Sequence, residues 1–358
     1  ISEAIDQIWT ATAFINGPDV HLFKKELSDY LGGVHVVPCA NGTDALQIAM
    51  MALGLKPGDK VLAPSFTYVA TAEVAALLGL ELVFCDVDPK TFNICPNSAA
   101  GILERENIKA IVPVHLFGQS ANMDAIMALA AQYNCLVVED MAQAMGSFYQ
   151  GEEVMGFAGC IGHAAGTSFF PSKNLGCYGD GGAMLSPDSE VAARMQMIAN
   201  HGQSALYYHD VVGVNSRLDT LQAAVLRIKL RRLKEYTKAR QQAAATYDAM
   251  LGDIDGLHVP VQDSKSTHVF HQYTLTLSRP GRTELMQYLE SQGIPVKIYY
   301  PVPLHLQKAY NHQGYTVGAF PISEHLCEHV LSLPMHTHLQ ADQLEYIAGH
   351  VRHWFSNH

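Results

Sequence analysis

Residues 110–140 read AIVPVHLFGQSANMDAIMALAAQYNCLVVED, and this stretch decides the fold class. Ala110 to His115 is a short apolar run rich in β-branched residues, Asn122 to Tyr133 has helical composition, and Cys135 to Glu139 is a second β-rich run. Strand, helix and strand in that order form the βα unit of a mostly parallel sheet covered by helices. The alternation continues outward from about residue 30 to 190, with strands expected at Lys60 to Ala63, Glu81 to Asp86 and Gly182 to Leu185 and a helix at Thr71 to Leu78. Three of these strands end in polar or ionisable residues, at Asp86, His115 and Glu139-Asp140. Open α/β sheets bind ligands at the carboxyl ends of their strands, so the site is expected there.

Further on, Leu218 to about Leu251 lacks Gly until Gly252 and Pro until Pro260, which predicts one long helical stretch bridging to a second unit. The domain boundary is placed near 235, giving a large domain over 1–234 and a smaller α+β domain over 235–358. His268 to Leu277 alternates like a half-buried strand, and Arg282 to Gln292 reads as a helix stopped by Gly293 and Pro295.

The 358 residues are 48% apolar and 16% charged, enough for two packed cores and without the composition of a disordered chain. No apolar run approaches the roughly 18 residues that cross a bilayer, and no charged-then-apolar leader opens the chain, so a cytoplasmic protein is expected. The sequence opens at Ile1 rather than Met, and a short preceding stretch is expected. Seven cysteines without regular spacing predict free thiols, and the absence of CxxC and HExxH predicts no metal site. A formal charge of −11 excludes a nucleic-acid partner while leaving room for a small anionic substrate.

Chemistry concentrates in residues 166–182, GTSFFPSKNLGCYGDGG, where Lys173 stands alone among small and turn-forming residues. A lysine that loses solvation in such a setting becomes a nucleophile toward an aldehyde; otherwise it is an ordinary loop lysine. In Leu136-Val-Val-Glu-Asp140-Met-Ala-Gln143 a carboxylate stands at a strand end, as a pyridine cofactor requires to keep its ring nitrogen protonated. Asp140 also reads as a helix cap, and by strand alternation Glu139 is its rival for the role. Cys39-Ala-Asn-Gly42-Thr43-Asp-Ala-Leu46 leads into a helix whose first N–H groups would suit a phosphate, although Asn-Gly-Thr is equally a common turn.

Together these segments resemble the DegT/DnrJ/EryC1/StrS family of sugar aminotransferases. Pro64-Ser-Phe-Thr-Tyr-Val-Ala-Thr71, Asn200-His-Gly202, Val214-Asn-Ser-Arg-Leu-Asp219, Tyr300-Pro-Val-Pro-Leu-His305 and Leu331-Ser-Leu-Pro-Met-His336 extend the similarity through nearly the whole chain. The resemblance implies a pyridoxal 5'-phosphate-dependent transferase of fold type I, aspartate-aminotransferase-like, acting as a homodimer with shared active sites. It makes Lys173 the Schiff-base lysine, Asp140 the partner of the ring nitrogen, Gln143 a donor to the ring hydroxyl and Tyr68 the residue stacked on the ring. Gly42, Thr43 and Ser168 would hold the phosphate, with Asn215 reaching it from the neighbouring subunit. Met141 stands where alanine is commoner in the family.

The same resemblance implies transamination in two halves, L-glutamate leaving as 2-oxoglutarate and a nucleotide-linked keto sugar receiving the amine. The subgroup it fits acts on UDP-2-acetamido-2-deoxy-3-oxo-glucuronate for bacterial surface polysaccharide. Arg217 is the candidate for the sugar carboxylate, because a guanidinium meets a carboxylate through two parallel hydrogen bonds; an interface salt bridge is the alternative. Tyr299, Tyr300 and His305 are expected on the substrate side, although Tyr299 stands where the subgroup often has histidine. His115 is expected to line the pocket, and Asp86 to cap a helix or turn. A 4-keto-6-deoxy sugar, a keto-cyclitol and a silent binding protein of the same fold are the competing readings. Related sugar dehydratases carry histidine in place of the lysine, so Lys173 argues against that chemistry.

Overall fold

The computed structural model describes residues 1–357. Its centre is a sheet of seven strands, drawn from β1 (His35–Cys39), β2 (Lys60–Pro64), β3 (Glu81–Cys85), β4 (Ile108–Ile111) and β5 (Leu136–Asp140) and, beyond the hairpin β6 (Phe148–Gln150) and β7 (Met155–Phe157), from β8 (Ala164–Ser168) and β9 (Gly182–Ser186). The order is β1-β9-β8-β5-β4-β2-β3. Pairs from β8 to β3 are parallel, and β9 alone runs antiparallel to both neighbours. β4 ends earlier than the sequence predicts, because Pro113 has no N–H to give the ladder. β1 and β8 escape the sequence reading; β8 is Ala-Ala-Gly-Thr-Ser, with Thr167 its one β-branched side chain.

Alternation along the strands supplies two apolar faces. Val61, Ala110 and Val138 face α3 (Gly42–Ala52), α4 (Ala70–Leu77) and α7 (Ser189–Ala199), which lie on one side. On the other, Leu62, Ile111 and Val137 meet α5 (Pro96–Leu103) and α6 (Met123–Tyr133), while Val36 and Leu185 meet α2 (Pro18–Tyr30) and α8 (Thr220–Leu230), against which α1 (Ser2–Ala11) also lies. Burying each such side chain contributes about 1.5–3 kcal/mol, so both faces must be covered.

The long stretch after 218 is not one helix: α8 ends at Leu230 and α9 (Leu233–Leu251) begins after a turn at the exposed Arg231 and Arg232. That turn buries Leu230 and Leu233 in one cluster, while Ala244, Tyr247 and Leu251 of α9 enter another. This second core holds β12 (Leu257–His258), β13 (Tyr273–Leu277) and β14 (Val330–Leu333) in an antiparallel sheet, numbered after the hairpin β10 (Gln203–Ala205) and β11 (Tyr208–His209). It is covered by α10 (Arg282–Ser291) and α12 (Ala341–Asn357), with α11 (Pro321–His329) nearby. Leu304, Tyr310 and Phe320 return to pack on the first core. Asp86 accepts hydrogen bonds from the Ile322 and Ser323 amides and so caps the start of α11. Among the described residues no helix is long and apolar enough to cross a membrane.

Candidate active site

A cavity of about 700 Å³ opens where β2, β5 and β8 end and α3 begins. Gly42, Thr43, Tyr68, Asp140, Gln143, Ser168, Lys173, Tyr299 and Tyr300 all line it. The chain brings them together from five separate segments, which the topology of parallel strands makes possible.

Lys173 sits on the loop between β8 and β9. Its amide donates to the Phe170 carbonyl at 2.8 Å, and Phe169 and Gly181 pair across the base of the loop. From outside, α8 clamps the same loop: Gln222 accepts from the Tyr178 amide at 2.8 Å, and Lys229 donates to the Gly176 carbonyl at 2.6 Å. A Cβ on Gly176 would lie 2.5 Å from the Pro171 carbonyl oxygen, so the turn admits glycine alone without moving. Burial lowers the Lys173 amine below its ordinary value, opposed by the Asp140 carboxylate. A lysine so disposed releases its proton more readily than one in water.

Asp140 closes β5 and turns into the cavity. Thr71 donates to its Oδ2 at 2.8 Å and the Ala142 amide to its Oδ1 at 3.1 Å. Glu139, one residue earlier, faces the opposite side of the sheet, and there it accepts from His115 and from the Gly159, Ile161 and Gly162 amides. Burial works against its charge, but the bonds from His115 and the amides overcome this and hold the carboxyl below its usual range. Glu139 therefore cannot exchange roles with Asp140. His115 is likewise not pocket lining: the Ala121 amide donates to its Nδ1, which leaves Nε2 to carry the proton given to Glu139.

At the start of α3, Asn41 caps the helix by accepting from the Asp44 amide at 2.8 Å. The Gly42 and Thr43 amides are left with no acceptor among the described residues. A Cβ on Gly42 would come within 2.6 Å of the Ser168 Cβ, so the close approach of helix and strand depends on glycine. Gln143 accepts from the Phe117 amide and donates to the Tyr300 hydroxyl at 3.1 Å. Burial pushes that hydroxyl well above its ordinary value. Tyr68 is 55% exposed at the rim, its ring 6.2 Å from that of Tyr300.

Besides His115, three expected residues lie outside the cavity. His305 is buried with Nδ1 on Ser65 at 2.6 Å and Nε2 on Glu324 at 3.1 Å, so both nitrogens are spent on the fold and the substrate-side expectation is corrected. Asn215 and Arg217 flank Ser216, which is buried and donates to Asp44 beside the α3 start. Asn215 is exposed and Arg217 half-buried, neither lines the cavity, and Arg217 has no hydrogen bond or ion pair with the described residues.

The cavity also holds residues to which the sequence reading assigns no role: Thr67 and Asp180, which lie inside matched segments, and His271 and Gln272, which lie in none. Thr67 Oγ1 and His271 Nδ1 are buried without a partner among the described residues. His271 falls within a stretch that reads as a strand, where nothing in the sequence marks one imidazole among 18.

A nucleophilic amine, a fixed carboxylate, an open helix N-terminus and an orphaned hydroxyl fit a phosphate-bearing pyridine aldehyde. Comparison with known proteins agrees with that chemistry. The DegT/DnrJ/EryC1/StrS aminotransferase family profile matches residues 1–352. The chain is 42% identical over 98% of its length, and 94% of the relative's, to UDP-2-acetamido-2-deoxy-3-oxo-D-glucuronate aminotransferase of Pseudomonas aeruginosa. It is also 42% identical to a pleiotropic regulatory protein of Geobacillus stearothermophilus, covering 99% and 94% of the two chains. Among solved structures, S. venezuelae DesV in complex with a ketimine intermediate superposes with a TM-score of 0.94 at 37% identity, over 99% of this chain and 94% of that one. The chain belongs to the DegT/DnrJ/EryC1/StrS family of pyridoxal-phosphate-dependent sugar aminotransferases, with the type I transferase fold.

Proposed function

We propose that this aminotransferase aminates the 3-keto carbon of UDP-2-acetamido-2-deoxy-3-oxo-glucuronate, with L-glutamate as donor, in the making of a bacterial surface polysaccharide. The observation that carries this reading is the 42% identity, along nearly the whole chain, to the relative that bears that substrate's name. A cationic Arg217, unpaired among the described residues and on the loop anchored beside the α3 start, suits the sugar's carboxylate.

When bound, pyridoxal phosphate supplies an electron sink for the carbon that gains or loses the amine. The chain's own groups do the rest. In this reading the Gly42 and Thr43 amides, the Thr43 hydroxyl and Ser168 hold the phosphate, and Asp140 keeps the ring nitrogen protonated. Gln143, already oriented by the Phe117 amide, gives its N–H to the ring hydroxyl, and Tyr68 covers the ring. The Lys173 amine, kept neutral more readily because burial lowers it below its ordinary value, carries the proton between the amine-bearing carbon and the cofactor. Tyr299 and Tyr300 form the wall that meets the sugar.

The active form in this reading is a homodimer with shared sites. The hairpin β10–β11 and its flank expose Leu206, Tyr207, Tyr208 and Val212, each at least 70% accessible in the single chain, next to Asn215 and Arg217. Such an apolar projection suits burial against a second copy, which would bring Asn215 to the partner's phosphate site. The boundary between large and small domains is placed near 235, between the two cores that α9 joins.

The relative named as a regulator shares the fold, but Lys173, Asp140, Gln143 and the Gly42-Thr43 turn are intact and convergent here, which favours catalysis. The test is the visible absorbance of the purified protein, near roughly 410 nm for a lysine-bound cofactor. Its loss with L-glutamate and return with the UDP-linked 3-oxo sugar acid, both absent in Lys173→Ala, is the expected result. Return with a dTDP-4-keto-6-deoxy sugar and not with the sugar acid would overturn the substrate. Indifference to every amino donor would favour the regulatory reading.

A further inference from the structure

Asp140 can keep a facing nitrogen protonated only if it stays charged and points the right way, and the structure shows what fixes it. Its Oδ1 is met by the Ala142 amide, a bond within its own turn. Its Oδ2 is met by the hydroxyl of Thr71, which comes from a different element, the first turn of α4. At 2.8 Å this is the one side-chain hydrogen bond to Asp140 among the described residues. Thr71 is fully buried and Asp140 nearly so, so water is a poor substitute for the bond.

A threonine inside a helix ordinarily has a local outlet, the carbonyl one turn back. Thr71 does not take it; its single proton goes to the carboxylate. The donor is neutral and the acceptor ionised, a pairing shorter and stronger than one between neutral groups. It locks the Asp140 rotamer, and each carboxylate oxygen still has a lone pair for the cavity. α4 also follows directly from Thr67 and Tyr68 of the cavity wall, so one segment supplies both the rim and the support of the carboxylate.

We propose that Thr71 is a positioning residue for the cofactor: its hydroxyl orients the Asp140 carboxylate toward the pyridine nitrogen and thereby supports the protonation of that nitrogen. This rests on the reading of Asp140 as that nitrogen's partner. The experiment separates the two. Holoenzyme is loaded with pyridoxal phosphate labelled with nitrogen-15 in the ring, and the nitrogen shift is followed against pH, with cofactor dissociation measured alongside. Thr71→Val removes the hydroxyl at nearly constant volume, Thr71→Ser keeps it, and Asp140→Asn removes the charge.

In Thr71→Val the ring-nitrogen pKa should fall by about one unit and cofactor affinity by about tenfold, the scale of one lost hydrogen bond to a charged group. Thr71→Ser should restore both. An Asp140→Asn protein whose ring nitrogen titrates like the parent's would remove the Asp140 reading itself. A response in Asp140→Asn with none in Thr71→Val would remove the role of Thr71 alone. Thr71→Ala provides a second variant without the hydroxyl, and loss of the fold in both Thr71→Val and Thr71→Ala would also overturn the proposal, since the hydroxyl would then serve the packing of α4.

Discussion

Glu139 and Asp140 are adjacent carboxylates whose fates are set by the period of a strand. Side chains one apart point to opposite faces, so Asp140 enters the cavity while Glu139 is locked behind the sheet by His115 and three amides. Glu139→Gln should therefore destabilise the protein by about 3 kcal/mol, because an amide nitrogen would face groups that can only donate. Asp140→Asn should leave unfolding nearly unchanged and weaken cofactor binding. Urea unfolding of the two apoproteins, with cofactor titration, checks this; a large loss of stability in Asp140→Asn with none in Glu139→Gln would reverse the assignment. In the sequence both residues were visible as a strand end, but which of them faced the site was not, since register depends on which side each neighbouring helix covers. His305 shows the same gap. Its motif was legible, yet whether its nitrogens face a ligand or Ser65 and Glu324 is decided by residues far away in the chain.

Elements were legible where local pattern and tertiary demand agree, as in α6 with its Asn122 cap and in β5. They were hidden where the backbone finds partners elsewhere. Residues 268–272 have the period of a strand, but the ladder starts only at Tyr273. Val269 and Gln272 donate instead to Gly118 and Phe117, Asn174 reaches the Val269 carbonyl, and the buried Arg240 binds the Phe270 and His271 carbonyls. This packing buries two imidazoles. Burial takes His268 down to about 3, and burial with the nearby Lys173 and Arg240 charges puts His271 well below its ordinary value. The unfolded chain protonates both near pH 6.5 and the folded one does not, so their contribution is intact above about pH 6.5 and lost as pH falls below it. Each adds a slope of about 1.4 kcal/mol per pH unit, in a range above the usual titration of carboxylates. His268→Asn, which keeps an acceptor for the Phe270 amide, should flatten the fall in unfolding free energy between about pH 6.5 and 4.5 by one such increment. An unchanged slope would mean that this segment opens before it titrates.

At the scale of the molecule, the cavity holds the amine and the carboxylate, while Asn215 and Arg217 are not part of its lining and follow an exposed apolar hairpin in the chain. A single chain that leaves two matched motif residues outside its own site is physically sensible if a second copy receives them. An isologous interface gives this twice, since each copy would lend its loop to the other. Hybrid rescue tests it. Lys173→Ala and Asn215→Ala are each expected to be nearly inactive, the first for want of the amine and the second for want of a phosphate contact. Mixed under conditions that exchange subunits, half of the dimers become hybrids. In each hybrid one site has Lys173 from one chain and Asn215 from the other, and its second site lacks both. Activity should then recover to about a quarter of the parent's, while light scattering reports a dimer throughout. No recovery despite demonstrated exchange would mean that each chain completes its own site, and the assignment of Arg217 to the partner's sugar would fall with it.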